Sequence, residues 1–282
     1  MKLYAIGDLH LANKSNRAAL AEMPAYPNDW LIVAGDVGET EAQLRFALDV
    51  LVPRFAQVLW TPGNHDLWTL ADDPSRLRGE AKYLRLVQIC RERGVLTPED
   101  PYPRWPATPP GEPWIRIAPL FLLYDYSFRP PEIPFEKAVA WAEETNVVCS
   151  DEFLLHPPPH ASRQAWCAQR VERTERRLEQ AAATGDRLIL INHWPLREDV
   201  VNLRRIPRFS IWCGTKATDD WHRRFNAIAV IYGHLHIKAT HFRDGVRFEE
   251  VSLGYPRDWN RSRGVGDYLR QILPQPDTWL AS

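Results

Sequence analysis

Five short stretches of the chain share one pattern, a β-branched or aromatic apolar run that ends in a polar side chain able to bind a metal. They are LYAIGDLH from Leu3, WLIVAGDVG from Trp30, QVLWTPGNHD from Gln57, RLILINHW from Arg187 and AIAVIYGHLH from Ala227. Runs of this length that stay apolar without alternating suit strands buried on both faces. Between the second and third, EAQLRFALDVLVPRF (41–55) carries its apolar residues at helical spacing. Strand, helix, strand in that order predicts a right-handed crossover and a largely parallel sheet. Ligands of such sheets gather beyond the carboxyl ends of the strands, and the polar residues here fall at those ends.

Further on, KATHFRDGVRFEEVSLG reads as a hairpin turning at Asp244-Gly245 and adding antiparallel strands to a second sheet. The stretch from Ala161 is an amphipathic helix that stops at Gly185. Residues 67–160 are dense in proline and aromatics, which argues against regular helix and for ordered loops walling a cleft. One more strand is expected there, from about Trp114 to Asp125. The whole of 1–282 reads as one domain with a loop or cap insertion at about 67–160.

Composition narrows the options more than it names one. A chain of 282 residues with 45% apolar side chains can bury enough surface to need neither disulfide nor structural metal. Any metal would then serve chemistry. A net charge of −1 with no extended basic stripe disfavours polymeric nucleic acid as a partner. The four cysteines form no CxxC pair, which fits a reducing compartment and gives no sign of a zinc finger or a disulfide framework. The four-residue apolar run before Gly7 is too short for a signal-peptide core, and no stretch approaches a membrane span. A cytoplasmic location is the expectation.

In chain order the strand ends supply Asp8 and His10, Asp36, Asn64 and His65, His193, then His234 and His236. Any one of these alone would be unremarkable, since a lone histidine is usually structural. Five ordered blocks are not. Oxygen and imidazole donors without thiolate suit two divalent ions such as Mn, Fe or Zn. Side chains in this number exceed what one catalytic ion with an open position needs. Two ions sharing a carboxylate, about 3.5–4 Å apart, would account for them and could clamp a phosphoryl group.

The order D-x-H, GD, GNHD, H, GHxH strongly resembles the calcineurin-like metallophosphoesterases, with anchors from Asp8 to His236. The resemblance implies an α/β fold of four layers (αββα), two mixed β-sheets packed together with helices outside and the metal site at the strand ends. It implies that Asp8, His10 and His236 hold one metal, that Asp36 bridges, and that Asn64, His193 and His234 hold the other. A hydroxide shared by the metals would attack phosphorus in line, with His65 as general acid to the leaving alkoxide. Two positions depart from the family pattern. Glu39 stands where an Asp often orients the acid, and is the expected partner of His65. The same position excludes a tyrosinate ligand, so no strong visible charge-transfer colour is expected. Asp66 replaces the commoner Glu of GNHE and is expected to support the turn.

Substrate contacts are less legible. Arg205 and Arg208, in the loop after His193, are candidates for a phosphate oxygen, against the competing reading of a solvated basic loop. Trp194 and Tyr124 are candidates for the cleft wall, although most of the twelve tryptophans suit the core. The function expected is hydrolysis of a small phosphate monoester, a metabolite or nucleotide. A phosphodiesterase is the alternative, and a non-catalytic scaffold of the same fold is a third reading. Against the scaffold, every motif position carries a competent side chain.

Overall fold

The computed structural model describes residues 1–275. Its elements are β1 (Leu3–Ile6), α1 (Lys14–Ala21), β2 (Tyr26–Ala34), α2 (Glu41–Leu51), β3 (Phe55–Thr61), α3 (Asn64–Leu67), α4 (Gly79–Arg91), β4 (Ile115–Pro119), α5 (Ala138–Glu143), α6 (Asp151–Leu154), α7 (Arg163–Ala182), β5 (Arg187–Ile191), α8 (Trp221–Arg224), β6 (Ala227–Tyr232), β7 (Thr240–Arg243), β8 (Val246–Glu250) and β9 (Arg270–Leu273). One sheet runs β3-β2-β1-β9 and the other β4-β5-β6-β8-β7. All five apolar runs are strands. Those within each sheet lie parallel, with Ala5 opposite Ile32 and Ile32 opposite Leu59 in the first, and Ile191 opposite Ile231 in the second.

Why the runs do not alternate follows from the layering. Leu3, Ala5, Ile32, Ala34 and Leu59 pack against Ile117, Ile189, Ile191, Ala229 and Ile231 of the opposite sheet. Their neighbours Ile6, Leu31, Val33, Val58 and Trp60 face outward onto Leu20 of α1, Leu44 and Leu48 of α2, and Leu86 of α4. The second sheet likewise presents Leu188, Leu190 and Val230 to Leu178 of α7 and Trp221 of α8. Both faces of these strands are therefore apolar. Each such side chain taken fully out of water contributes about 1.5–3 kcal/mol. At one end the sheets are joined, where Gly7 N donates to Val251 O at 2.9 Å and Leu253 N to Gly7 O at 2.8 Å. The candidate site lies at this end.

Several expectations need correction. The 67–160 segment holds a 13-residue helix, α4, because its prolines spare the stretch GEAKYLRLVQICR. The strand expected to reach Asp125 stops at Pro119. Beyond it, Leu120 N still finds Ile191 O at 2.7 Å, but Leu122 N donates to the Asn192 side chain at 3.0 Å instead of a ladder carbonyl. The hairpin forms as expected, with β7 antiparallel to β8, yet β8 joins β6 in parallel. A 3-10 turn, Lys216–Thr218, leads into α8. Strand β9, antiparallel to β1, was not anticipated. No helix among the described residues is long and apolar enough to cross a membrane.

Candidate metal centre

Asp8, His10, Asp36, His234 and His236 each leave a strand end with positive φ, between 44° and 71°. Left-handed backbone is costly for residues with a Cβ and collects at functional sites. Here it turns five polar side chains toward one point. Asn64 and His65 arrive differently, on the first turn of α3, whose Gly63 lies against Asp36. A Cβ at Gly63 would come within 2.5 Å of Asp36 N, so only glycine permits this approach.

The seven side chains expected at the centre do converge. On one side His10 Nε2 lies 3.1 Å from His236 Nε2, which is 3.0 Å from Asp8 Oδ1. On the other, Asn64 Oδ1, His193 Nε2 and His234 Nδ1 are mutually 3.2 Å apart. Asp36 sits between, with Oδ1 3.5 Å from His193 Nε2. Donor atoms of Asp8, Asp36 and His193 lie within 4.8 Å of one another, as do those of His10, Asp36 and His65.

Electrostatics favour cations at this point. Burial, then mutual repulsion among the imidazoles, holds His10 and His234 well below the usual histidine pKa, and burial brings His193 to about 4. Burial thus favours the neutral form of these rings, and ring nitrogens of His193 and His234 face each other at 3.2 Å. His193 Nδ1 donates to Ala34 O at 2.9 Å, which leaves Nε2 as the free donor atom. His236 Nδ1 faces Asp258 Oδ2 at 3.4 Å in the same fashion. Asp36 is pushed well above the carboxylate range by burial, then by Asp8 and Asp66. Burial raises Asp8 too, but His236, His193 and His10 together outweigh it and pull its pKa down. Converging lone pairs and two buried carboxylates repel unless positive charge lies among them, so the donor set fits a pair of divalent ions.

His65 lies at the rim of this set. Its Nδ1 is 3.3 Å from Glu39 Oε1, the partner expected from sequence, and its Nε2 is 3.9 Å from Asp36 Oδ2. The His65 hydrogen bond, offset by partial burial, lowers the pKa of Glu39. The Trp68 ring lies over His65 with centroids 3.6 Å apart. Asp66 accepts from Val37 N, Gly38 N and Gly63 N at 2.9–3.2 Å, so it braces two glycine turns.

The cleft above the centre, about 300 Å³, has His10, Asp36, Asn64, His65, His234 and His236 on its floor. Its walls are Leu203, Ile206, Phe209, Leu235, Tyr255 and Arg257. None of the four substrate candidates lines it. Trp194 and Tyr124 are 0% exposed, packed beneath the centre in the core. Arg208 turns away to Trp141 O and to Glu144 at 2.7 Å, stacking on the Trp141 ring. Arg205 is exposed on the loop outside the cleft lining. The wall residues Leu203, Ile206 and Tyr255 escaped the sequence reading because no spacing distinguishes a cleft-facing apolar residue from a core one. Ser252 was also missed. It lies 2.6 Å from Asp8 Oδ2 and adjoins the buried Glu250.

Comparison with known proteins agrees with this geometry. The calcineurin-like phosphoesterase model matches residues 1–238. The [acyl-carrier-protein] phosphodiesterase PptH of Mycobacterium tuberculosis is 51% identical over 277 residues, covering 97% of this chain and 84% of that protein. The crystal structure of phosphopantetheinyl hydrolase (PptH) from the same organism superposes with a TM-score of 0.89 at 48% identity. That match covers 98% of this chain and 96% of the other.

Proposed function

The chain belongs to the calcineurin-like phosphoesterase family, and from that premise we propose that it is a phosphodiesterase releasing phosphopantetheine from a carrier protein. It is a phosphoric ester hydrolase. The sequence alone pointed to a small monoester. The observation that carries the diester reading instead is the near full-length similarity to PptH, at 51% identity.

The cleft is consistent with that substrate. A diester has two substituents at phosphorus, one to be held and one to leave. Leu203, Ile206, Phe209 and Leu235 offer an apolar wall for a thin extended arm. Arg257, 83% exposed beside Tyr255 at the rim, is placed to meet an anionic group or an acidic protein surface. Arg204 and Arg205, exposed on the neighbouring loop, form no ion pair among the described residues and add positive charge to that rim. The partner is then a protein-borne ester rather than a free metabolite.

Asp8, His10 and His236 would hold one divalent ion, Asn64, His193 and His234 the other, and Asp36 both. Bound there, the ions would supply Lewis acidity and an activated water for attack at phosphorus. His65 would donate a proton to the departing oxygen, with Glu39 fixing the ring. Water adds to phosphorus, the bond to the carrier's hydroxyl oxygen breaks, and that oxygen leaves protonated. Incubating the manganese-loaded protein with a phosphopantetheinylated carrier, read by intact mass, tests the reading. Conversion to the unmodified carrier is expected. An unchanged carrier, with p-nitrophenyl phosphate cleaved faster than its bis ester, would replace it with a monoesterase.

A further inference from the structure

Asp151, at the start of α6, is fully buried, and its Oδ1 accepts two hydrogen bonds. One comes from Asn64 Nδ2 at 3.0 Å and the other from the Trp68 indole N–H at 2.7 Å. A carboxamide has an acceptor end and a donor end, and a half-turn exchanges them. With its NH₂ committed to Asp151, Asn64 presents its oxygen to His193 Nε2 and His234 Nδ1, each 3.2 Å away. The reversed amide would aim N–H groups at the place proposed for a cation. Trp68, held by the same oxygen, is the ring that lies on His65.

The second carboxylate oxygen, Oδ2, is buried as well, with the buried Tyr124 hydroxyl beside the carboxylate. Burying a carboxylate on these terms costs stability that an apolar side chain of similar size would not. The fold has no evident need of it. The site does.

We propose that Asp151 is a positioning residue of the metal centre: it locks Asn64 with its oxygen toward the ions and, through Trp68, fixes the ring on which His65 rests. This rests on the two-metal reading above. It also gives the 67–160 segment a role beyond walling the cleft, because one of its side chains sets the polarity of a ligand 87 positions away.

Titration of metal-free protein with Mn²⁺ by calorimetry, together with elemental analysis and thermal melts of the metal-free state, tests it. Wild type is expected to take up two ions. In Asp151→Ala one of the two should weaken by roughly 10–100-fold, the usual effect of losing a ligand's hydrogen-bond partner, while the other is unchanged. Asp151→Asn, whose carbonyl can accept the same two bonds, should stay within a few fold of wild type at both. Trp68→Phe should keep both ions and lose turnover. Two ions bound by Asp151→Ala as tightly as by wild type would overturn the inference and leave the metal reading intact. Equal loss of both ions in both Asp151 variants, with a collapsed metal-free melt, would also overturn it, since that marks a purely structural residue. A wild type that binds no manganese would remove the metal reading and this inference with it.

Discussion

Replacing His65 with alanine separates proton donation from every other role of the centre. The ring reaches the cleft floor, is only 9% exposed, and is not needed to complete either triplet of donors around Asp36. Its removal should therefore leave metal content unchanged. A positioned general acid contributes about 10²–10⁴-fold, or roughly 3–5 kcal/mol, when the leaving group is a poor one such as an alkoxide. A p-nitrophenolate leaves without a proton and draws little on such help. The loss in kcat should accordingly be large on a phosphopantetheinylated carrier and less than about tenfold on bis-p-nitrophenyl phosphate. Glu39 should matter far less. Its side chain is 26% exposed and faces His65 at 3.3 Å, and pairs this open to water contribute less than about 1 kcal/mol, so Glu39→Gln should stay within roughly fivefold. Steady-state kinetics on both substrates, normalised to metal content, reads all of this. Equal losses on alkyl and aryl esters would refute proton donation by His65, and unchanged rates on both would remove it from the reaction.

Asp36→Asn should lose metal and abolish turnover, because the neutral amide cannot bridge two cations; elemental analysis showing two retained ions would contradict the shared-ligand geometry. Gly35→Ala would place a Cβ 2.6 Å from His193 Nδ1 at a φ of +83°, whereas Gly94, φ +70°, has open space around it. Both should cost about 1–2 kcal/mol from left-handed backbone alone, but only Gly35→Ala should also impair manganese binding, as paired melts and titrations would show. Glu99 accepts from Tyr83 at 2.7 Å and pairs with the buried Arg170 at 2.9 Å, so Glu99→Gln should destabilise by about 3 kcal/mol in urea unfolding at neutral pH. Burial raises the pKa of Glu99, but Arg170 and then Tyr83 and Arg173 outweigh it and bring it below the usual value. Its contribution is thus whole above the unfolded pKa, about 4.3, and is lost as pH falls through the lower folded one. The gap between wild type and variant should be full at pH 6 and close toward acid; a gap that widened there would reverse the assignment.

The pattern of apolar runs was enough to place every strand that carries a metal-site residue, because strands buried on both faces write an unbroken apolar signature and the chemistry sits at its end. Helix α2 and the long helix α7 were legible for the complementary reason: each shows one apolar face to a sheet. Helix α4 was masked by the prolines on either side of it, although its own 13 residues contain none. Strand β9 is four residues paired at a sheet edge, too short to carry a period.

Ligands and substrate contacts differ in how they are encoded, and that difference explains where the sequence reading failed. A metal ligand must be one of a few residue types, here at a strand terminus, so Asp8, Asp36 and His234 stand out as candidates by type and place together. A cleft wall needs only apolar surface. Trp194 follows directly on His193 and Tyr124 ends an apolar run, yet both point inward, while Leu203 and Ile206, in an unpatterned loop, line the cleft. Even the arginines follow this rule: Arg208 and Arg257 are the same residue type in loops, but Arg208 is bound to Trp141 and Glu144 whereas Arg257 stands free of the core at the rim. Which loop side chains are left uncovered above the centre is a property of packing between distant segments. Asp151 shows the same dependence inside the site: its role exists only because α6 packs beneath Asn64, and no local pattern around residue 151 could have announced it.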